Sequence, residues 1–321
     1  MSKFDEQYID LCRRILEHGE KITNYKKTDN RNSKVATAIP DHAAQASSEA
    51  STIRLPHQVL QFDLEEEFPI LVSKKVGFKT AVLEILWIYQ VASNDVRWLQ
   101  ERGIKIWNEW EISESGDYMG RNINEIFKEQ HPSEPPEDFA HTIGTAYGWI
   151  VKKYSLVENL IETLKKNPGN RRMVMSLWQN EWLSTAALPS CVWNSQWNIM
   201  NGRLNLLVTS RSSDVPLGLP FNIVQYAVLC HLIAQSVGVK PGKFTFITND
   251  AHIYENQIDG IKEQIRRFDE AKQTNTLPET PRLIINPKIK NFYDFDNSRE
   301  LKDIKLDNYQ NLGVIKMPVT E

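Results

Sequence analysis

Residues 221–236 are apolar almost all round. A helix of that kind must be enclosed by other elements on every side. Its partners are legible elsewhere in the chain. A second apolar helix is expected over 78–93 and an amphipathic one over 4–18, ending at His18-Gly19. A strand is expected over 53–62, before the acidic turn at Glu65–Glu67. Four more follow at 172–178, 192–200, 203–211 and 243–248, with Asn201-Gly202 as the hairpin turn between the second and third of these. Ser155-Leu-Val-Glu158 reads as a capping box for a helix through Lys166, stopped by Asn167-Pro-Gly169; a further helix is expected over 251–268. Strands clustered between helices, without regular βαβ alternation, indicate an α+β fold. The 321 residues, 41% hydrophobic, suffice for a sizeable core in one large domain or two ordinary ones. Residues 22–34 are polar and basic, 35–52 read as an Ala/Ser-rich inserted loop, and 111–140 as a polar surface insertion.

Charge narrows the function. With 25% charged residues and a net charge of −3, bulk nucleic-acid or membrane-surface binding has no support, and a local basic site for a small anion is left open. The apolar runs are too short or too interrupted to span a bilayer, and the N-terminus lacks a signal peptide's apolar core. Cys12, Cys191 and Cys230 are widely spaced, which reads as reduced thiols in a cytoplasmic protein; the seven histidines show no metal-ligand spacing.

Several residues carry chemistry. Cys191 follows Leu188-Pro-Ser190 and opens a strand, where alternation would put Trp193, Ser195 and Trp197 on its side. Free cysteine is among the most buried residue types, so a packing role competes with a nucleophilic one, and a nucleophile needs a cation nearby. Arg211 ends the second hairpin strand and is that candidate; with Arg171 and Arg172 it makes a guanidinium set suited to a phosphate monoester, against a plain reading as surface charge. Glu84 is a carboxylate amid Ala81–Tyr89 with no charged residue four positions away; burial would raise its pKa into the range useful for proton transfer, whereas on a half-exposed helix it would be one polar stripe. Asn222, at the start of the apolar helix, is either an N-cap or an amide matched to the O4 and N3–H of a uracil. Asp250, His252 and Tyr254 are either a helix cap with packing neighbours or groups facing a ligand.

Together these segments resemble the thymidylate synthase family. Leu188-Pro-Ser-Cys191 is similar to its nucleophile motif; Ser210-Arg-Ser-Ser-Asp214 with Leu217-Gly-Leu-Pro-Phe-Asn-Ile223 is similar to its phosphate- and uracil-binding stretch; Asn249-Asp-Ala-His-Ile-Tyr-Glu-Asn256 is similar to its nucleoside-binding segment. Glu84-Ile-Leu-Trp87, Ile106-Trp-Asn-Glu-Trp110, Ala146-Tyr-Gly148 and Asn170-Arg-Arg172 fit in family order, and Ile315–Glu321 resembles the mobile C-terminal segment. The likeness spans nearly the whole chain, 1–321, as one domain with insertions near 34–50 and 111–140.

The resemblance implies a large mixed sheet flanked by helices and a homodimer formed through the sheets. It implies methylation of dUMP with 5,10-methylenetetrahydrofolate as co-substrate and no metal. Cys191 would attack C6 of dUMP. Glu84 would organise water and move protons, and Tyr147 would help remove the C5 proton. Arg211, Ser212, Ser213 and Arg31 (or Arg54 in its place) would bind phosphate, with Arg171 and Arg172 from the other subunit. Asn222 would read the uracil edge; His252 and Tyr254 would hold the sugar. Asp214 would serve catalysis and both ligands. Lys74, Trp107, Trp110, Gly218, Phe221 and Thr320 would contact the folate. The chain departs from the family pattern at Val192 (usually His), Ser190 (usually Pro), Ser210 (usually Gln), Asn249 (usually Gly), Gln257 (usually His) and Glu321 (usually small and apolar). Alternatives are a dUMP hydroxymethylase, which a retained Trp107 opposes by shielding against water, and a low-activity RNA-binding regulatory homologue, which the net charge opposes. A cysteine hydrolase lacks a histidine placed beside Cys191.

Overall fold

The computed structural model describes residues 2–23 and 51–319, so Arg31, Thr320 and the insertion near 34–50 lie outside the described residues. Ser2 caps α1 (Lys3–His18) by accepting from the Asp5 N–H at 3.0 Å. The remaining elements are β1 (Glu20–Ile22), β2 (Thr52–Asp63), α2 (Phe78–Tyr89), α3 (Arg97–Gln100), β3 (Asp117–Tyr118), β4 (Arg121–Asn122), α4 (Ile123–Gln130), α5 (Gly148–Lys153), α6 (Leu156–Lys166), β5 (Val174–Ser176), β6 (Val192–Met200), β7 (Arg203–Ser210), β8 (Ser213–Asp214), α7 (Gly218–Val237), β9 (Lys240–Tyr254), α8 (Ile258–Gln273), β10 (Arg282–Ile285) and β11 (Ile304–Asp307).

The main sheet runs β1-β2-β9-β7-β6-β5, with β8 added beside the end of β9. It is mixed: β9 is antiparallel to β2 but parallel to β7 and β8. The fold is therefore α+β, as expected. Asn201 (φ 53°) and Gly202 (φ 71°) take the left-handed conformations of a tight hairpin turn, and β6 pairs antiparallel with β7. One face of the sheet carries Leu60, Phe62, Leu206, Val208, Phe244 and Phe246, all buried, and α7 is buried along its length between this face and α2.

Local departures from expectation bear on the site. α7 begins at Gly218 with Leu217 at the cap, so Asn222 lies inside the helix and is not its N-cap. Pro220 is tolerated there because first-turn N–H groups have no intrahelical acceptor. β9 extends to Tyr254, so Asp250 does not cap a helix; α8 starts only at Ile258. α2 stops at Tyr89, where the Val91 N–H turns back to the Leu86 carbonyl (2.9 Å) and Ala92 adopts φ 49°. Ser155 precedes α6 in a left-handed conformation, and its side chain makes no capping bond. A bulge between Val192 and Asn194 breaks the alternation expected after Cys191, and Asn194 and Ser195 are buried in succession. The 111–140 stretch carries the β3–β4 ribbon and α4, anchored by Phe127 stacked on Trp182 at 5.9 Å between centroids.

Candidate active site

The hairpin brings Cys191 and Arg211 together. The Arg211 N–H donates to the Cys191 carbonyl at 2.9 Å, one rung beyond the β6–β7 ladder. Its guanidinium is then held by the carbonyls of Ser190 (3.2 Å) and Pro189 (2.9 Å), and Nη2 stands 3.6 Å from Cys191 Sγ. A positive charge is thus fixed against a partly exposed thiol, whereas Cys12 and Cys230 are sealed in the core, where burial pushes each thiol up to about 12. Ser210, behind them, donates to the Cys191 and Ser212 carbonyls (3.2 and 2.8 Å).

From Cys191 a contact path leads inward. Its N–H donates to the Tyr147 hydroxyl at 2.9 Å. Tyr147 holds φ 46°, a strained conformation for a bulky residue, at the start of α5. The next residue must be glycine: a Cβ on Gly148 would lie 2.0 Å from the Ser93 carbonyl oxygen. Burial holds the Tyr147 hydroxyl protonated well above its usual range. The Tyr147 ring meets Trp107 edge-on at 5.3 Å, and Trp107 meets Trp110 at 5.4 Å. Trp107 Nε1 donates to Glu84 Oε1 at 2.9 Å, while Gln225 Nε2 donates to Glu84 Oε2 at 2.6 Å. Gln225 Oε1 in turn accepts from Asn222 Nδ2 at 3.1 Å. Burial is the dominant influence on Glu84; the two neutral donors only moderate it, and its pKa rises to about 7. The anomaly read in the sequence is thus a carboxyl whose pKa its surroundings raise toward neutrality.

A second group stands on β8 and β9. His252 and Tyr254, two apart on one strand, meet edge-on at 5.2 Å between ring centroids. His252 Nδ1 is 2.9 Å from Asp250 Oδ1, and Asp250 also accepts from Arg54 at 3.2 Å. Burial would raise Asp250, but His252 and Arg54 outweigh it and hold the carboxyl below its usual range. Asp214 pairs with His252 in the parallel β8–β9 register. Burial raises its pKa, against opposing bonds from the Leu217 N–H (3.0 Å) and the Gln257 amide (3.2 Å). Gly218 lies one turn on, and Phe221 packs over Gly77.

Other expected residues do not join this cluster within the chain. Arg171 and Arg172 are exposed before β5, and their guanidiniums make no bond among the described residues. The β5–β6 register extrapolates Arg172 to the level of Asn198, seven residues along β6 from Cys191 and roughly 23 Å away at strand rise. Lys74 turns inward instead of toward a solute: its ammonium bonds the Pro216 carbonyl, and burial lowers its pKa to about 8. The adjacent Lys75 is exposed. An open cleft of about 630 Å³ lies at the opposite end of β6, by Asn201 and Gly202, but its Arg203 and Lys240 are engaged with Asp63 and Glu65. Gln225 escaped the sequence reading, and Gln257 was noted there only as a departure from the family pattern. Gln225 carried a usable signal, a polar side chain inside the same all-apolar helix.

The comparisons with known proteins identify the family. The sequence profile of the family described as thymidylate synthase matches residues 6–321. The chain is 42% identical over 320 residues to the thymidylate synthase of Clostridium beijerinckii, covering 100% of both, and 34% identical over 319 residues to that of Bacillus licheniformis, covering 97% of this chain and 96% of the other. Among solved structures it is similar to thermostable thymidylate synthase A from Bacillus subtilis, with a TM-score of 0.75 and 33% identity over 99% of each chain. A thiol set against a guanidinium, a half-buried acid linked to an amide, and full-length likeness to these enzymes place the chain in the thymidylate synthase family.

Proposed function

We propose that this chain catalyses the reductive methylation of dUMP to dTMP, with 5,10-methylenetetrahydrofolate supplying both the one-carbon unit and the hydride and leaving as dihydrofolate. The observation that carries the reading is the placement of Arg211 Nη2 at 3.6 Å from Cys191 Sγ, joined by an unbroken path through Tyr147, Trp107, Glu84 and Gln225 to Asn222. Cys191 attacks C6 of the uracil as its anion, favoured by the guanidinium in contact with the sulfur. Asn222, with Gln225 accepting one of its amide protons, keeps its remaining donor and its carbonyl for the uracil edge. Glu84, close to half-protonated near pH 7, gives and takes protons through water at the ring. Tyr147 contributes its hydroxyl on the opposite side and assists removal of the C5 proton.

Arg211, Ser212 and Ser213 bind the phosphate, joined by Arg31 or Arg54. His252 and Tyr254 hold the sugar. Trp107, Trp110, Phe221, Asp214, Gly218 and Thr320 would contact the folate, a reading supported by the edge-on packing of Trp107 on Trp110; the exposed Lys75, in place of the inward-turned Lys74, would meet an acidic tail.

A homodimer through the sheets completes the site. The outer sheet face exposes Val59 (52%) and Val174 (47%), apolar residues that a partner would cover. Arg171 and Arg172, whose guanidiniums make no bond among the described residues, precede the edge strand β5 and would reach the partner's phosphate site. The chain is proposed to be a single cytoplasmic domain with insertions near 34–50 and 111–140; among the described residues no helix is long and apolar enough to cross a membrane.

The test is direct. Incubation with dUMP and 5,10-methylenetetrahydrofolate is expected to raise dihydrofolate absorbance with equimolar dTMP. Formation of 5-hydroxymethyl-dUMP without dihydrofolate, or no turnover, would overturn the assignment.

A further inference from the structure

Gln257 is 0% exposed, and its amide uses both N–H donors and its carbonyl oxygen. Nε2 donates to Asp214 Oδ2 at 3.2 Å and to the Pro318 carbonyl at 3.1 Å, and Oε1 accepts from the Tyr254 N–H at 3.2 Å. The three partners come from separated parts of the chain: the short strand β8, the end of β9 and the C-terminal segment. That segment is seated by few other contacts. The Leu312 N–H donates to the Val72 carbonyl (2.9 Å), the Gly313 carbonyl accepts from Lys75 (2.9 Å), and Arg267 donates to the Leu312 carbonyl (3.1 Å). Beyond these, Met317 lies against Gly260 so closely that an added Cβ would stand 2.7 Å from its Cγ. Val314 and Val319 are 59% and 65% exposed, so apolar burial in this stretch rests mainly on Met317.

We propose that Gln257 is a positioning residue that couples docking of the C-terminal segment to the Asp214 carboxylate and the Tyr254 backbone, so that the rim of the site and its acid are set together. The inference rests on the reaction proposed above only for its kinetic consequence; the docking itself is a property of the free chain. An amide suits the place because it alone offers two donors and one acceptor in a plane. A neutral imidazole has a single N–H and serves Asp214 or Pro318, but not both. A carboxylate of the same size has no donor and sets a second negative charge beside Asp214.

Gln257→Ala and Gln257→Glu separate these roles, the second keeping the volume. Lys316 is exposed just before the bonded stretch. Brief trypsin treatment of the free proteins, with release of 317–321 followed by mass spectrometry, is expected to run up to about tenfold faster in both variants, the upper scale of the one lost hydrogen bond to the segment. Both variants are expected to melt a few degrees lower, since Asp214 loses a buried partner, but KM for dUMP is expected to stay within twofold of its native value while KM for the folate rises about tenfold, more in Gln257→Glu. Equal cleavage rates would overturn the proposal. So would a matched rise in both KM values, which marks a structural residue only. If the native chain itself gives no turnover, the reaction reading fails and the cleavage rates still decide the docking role.

Discussion

Two glutamines do comparable work in two regions of this molecule, and their surroundings differ in kind. Gln225 sits in the middle of a buried helix and ties Asn222 to Glu84; all three belong to α7 and α2, packed against each other in the core. Gln257 sits on a turn after the sheet and ties Asp214 to a tail residue. The inner amide joins groups that are fixed before any ligand arrives. The outer amide joins one fixed group to a segment held by a handful of backbone bonds. A side-chain amide thus serves preorganisation in one place and docking in the other, and the difference lies in what stands at the far end of its hydrogen bonds.

The largest expected effect isolates the inner region. Cys191→Ser is expected to lose at least about a thousandfold in kcat, the scale of removing a nucleophile. Trypsin release of the C-terminal segment should not change in that variant, since no bond to the tail involves Cys191. A change in cleavage rate would show that the two regions are not separable.

Glu84→Gln comes next, with kcat expected to fall about a hundredfold or more. The native pH profile should show a limb near 7 that disappears in the variant. Stability supplies an independent check. The folded chain retains a proton on Glu84 up to about pH 7, whereas the unfolded chain releases it near 4.5. The folded state therefore binds more protons across that window, and native stability falls as pH rises through it, by at most about 3 kcal/mol. The amide variant lacks this decline. Its melting temperature relative to native should be higher at pH 8 than at pH 5; the reverse order would mean that Glu84 is not held as a buried acid.

Gln225→Leu tests the inner amide itself. It leaves the Glu84 carboxyl with one donor and frees Asn222 to rotate. A loss of about tenfold in kcat/KM is expected, in line with one or two hydrogen bonds at a buried site. The effect should be carried by dUMP more than by the folate, the opposite of Gln257→Ala. Equal effects on both substrates from either variant would erase the distinction between the regions.

How much of this was legible follows from where each signal resides. The hairpin was readable because Asn201-Gly202 carries its conformation in its own residues, and from it the approach of Arg211 to Cys191 followed. Glu84 stood out because charge inside an apolar helix is costly wherever that helix packs. The start of α7 was not readable: Gly218, Leu219 and Pro220 look like a turn, and only their packing under the sheet makes them helical. Asp250 looked like a cap because the residues after it alternate and turn in ways that suit either a strand end or a helix start; pairing with β2 across the whole of β9 settles it. Lys74 and Lys75 are identical in sequence terms. Which one faces inward depends on the Pro216 carbonyl, distant in the chain.

Lys74 also gives the smallest effect, and the most specific one. Its ammonium is buried against the Pro216 carbonyl, just before α7, with Asp214 near enough to favour its charge but not to offset burial. Between about pH 8 and the ordinary lysine value of 10.5 the folded chain has given up this proton while the unfolded chain keeps it. The unfolded state then binds more protons, so native stability gains from Lys74 as pH rises through that range. Lys74→Met removes the gain and the cost of the buried charge together, but leaves the Pro216 carbonyl without its donor, so at pH 7 the net change should stay within about 1–2 kcal/mol. The melting-temperature difference between native and variant should therefore drift toward the native chain from pH 8 to 10, with KM for a polyglutamylated folate unaltered and Lys75→Ala raising it. A larger KM change in Lys74→Met than in Lys75→Ala would return the acidic-tail contact to Lys74 and show that the inward bond gives way when the folate binds.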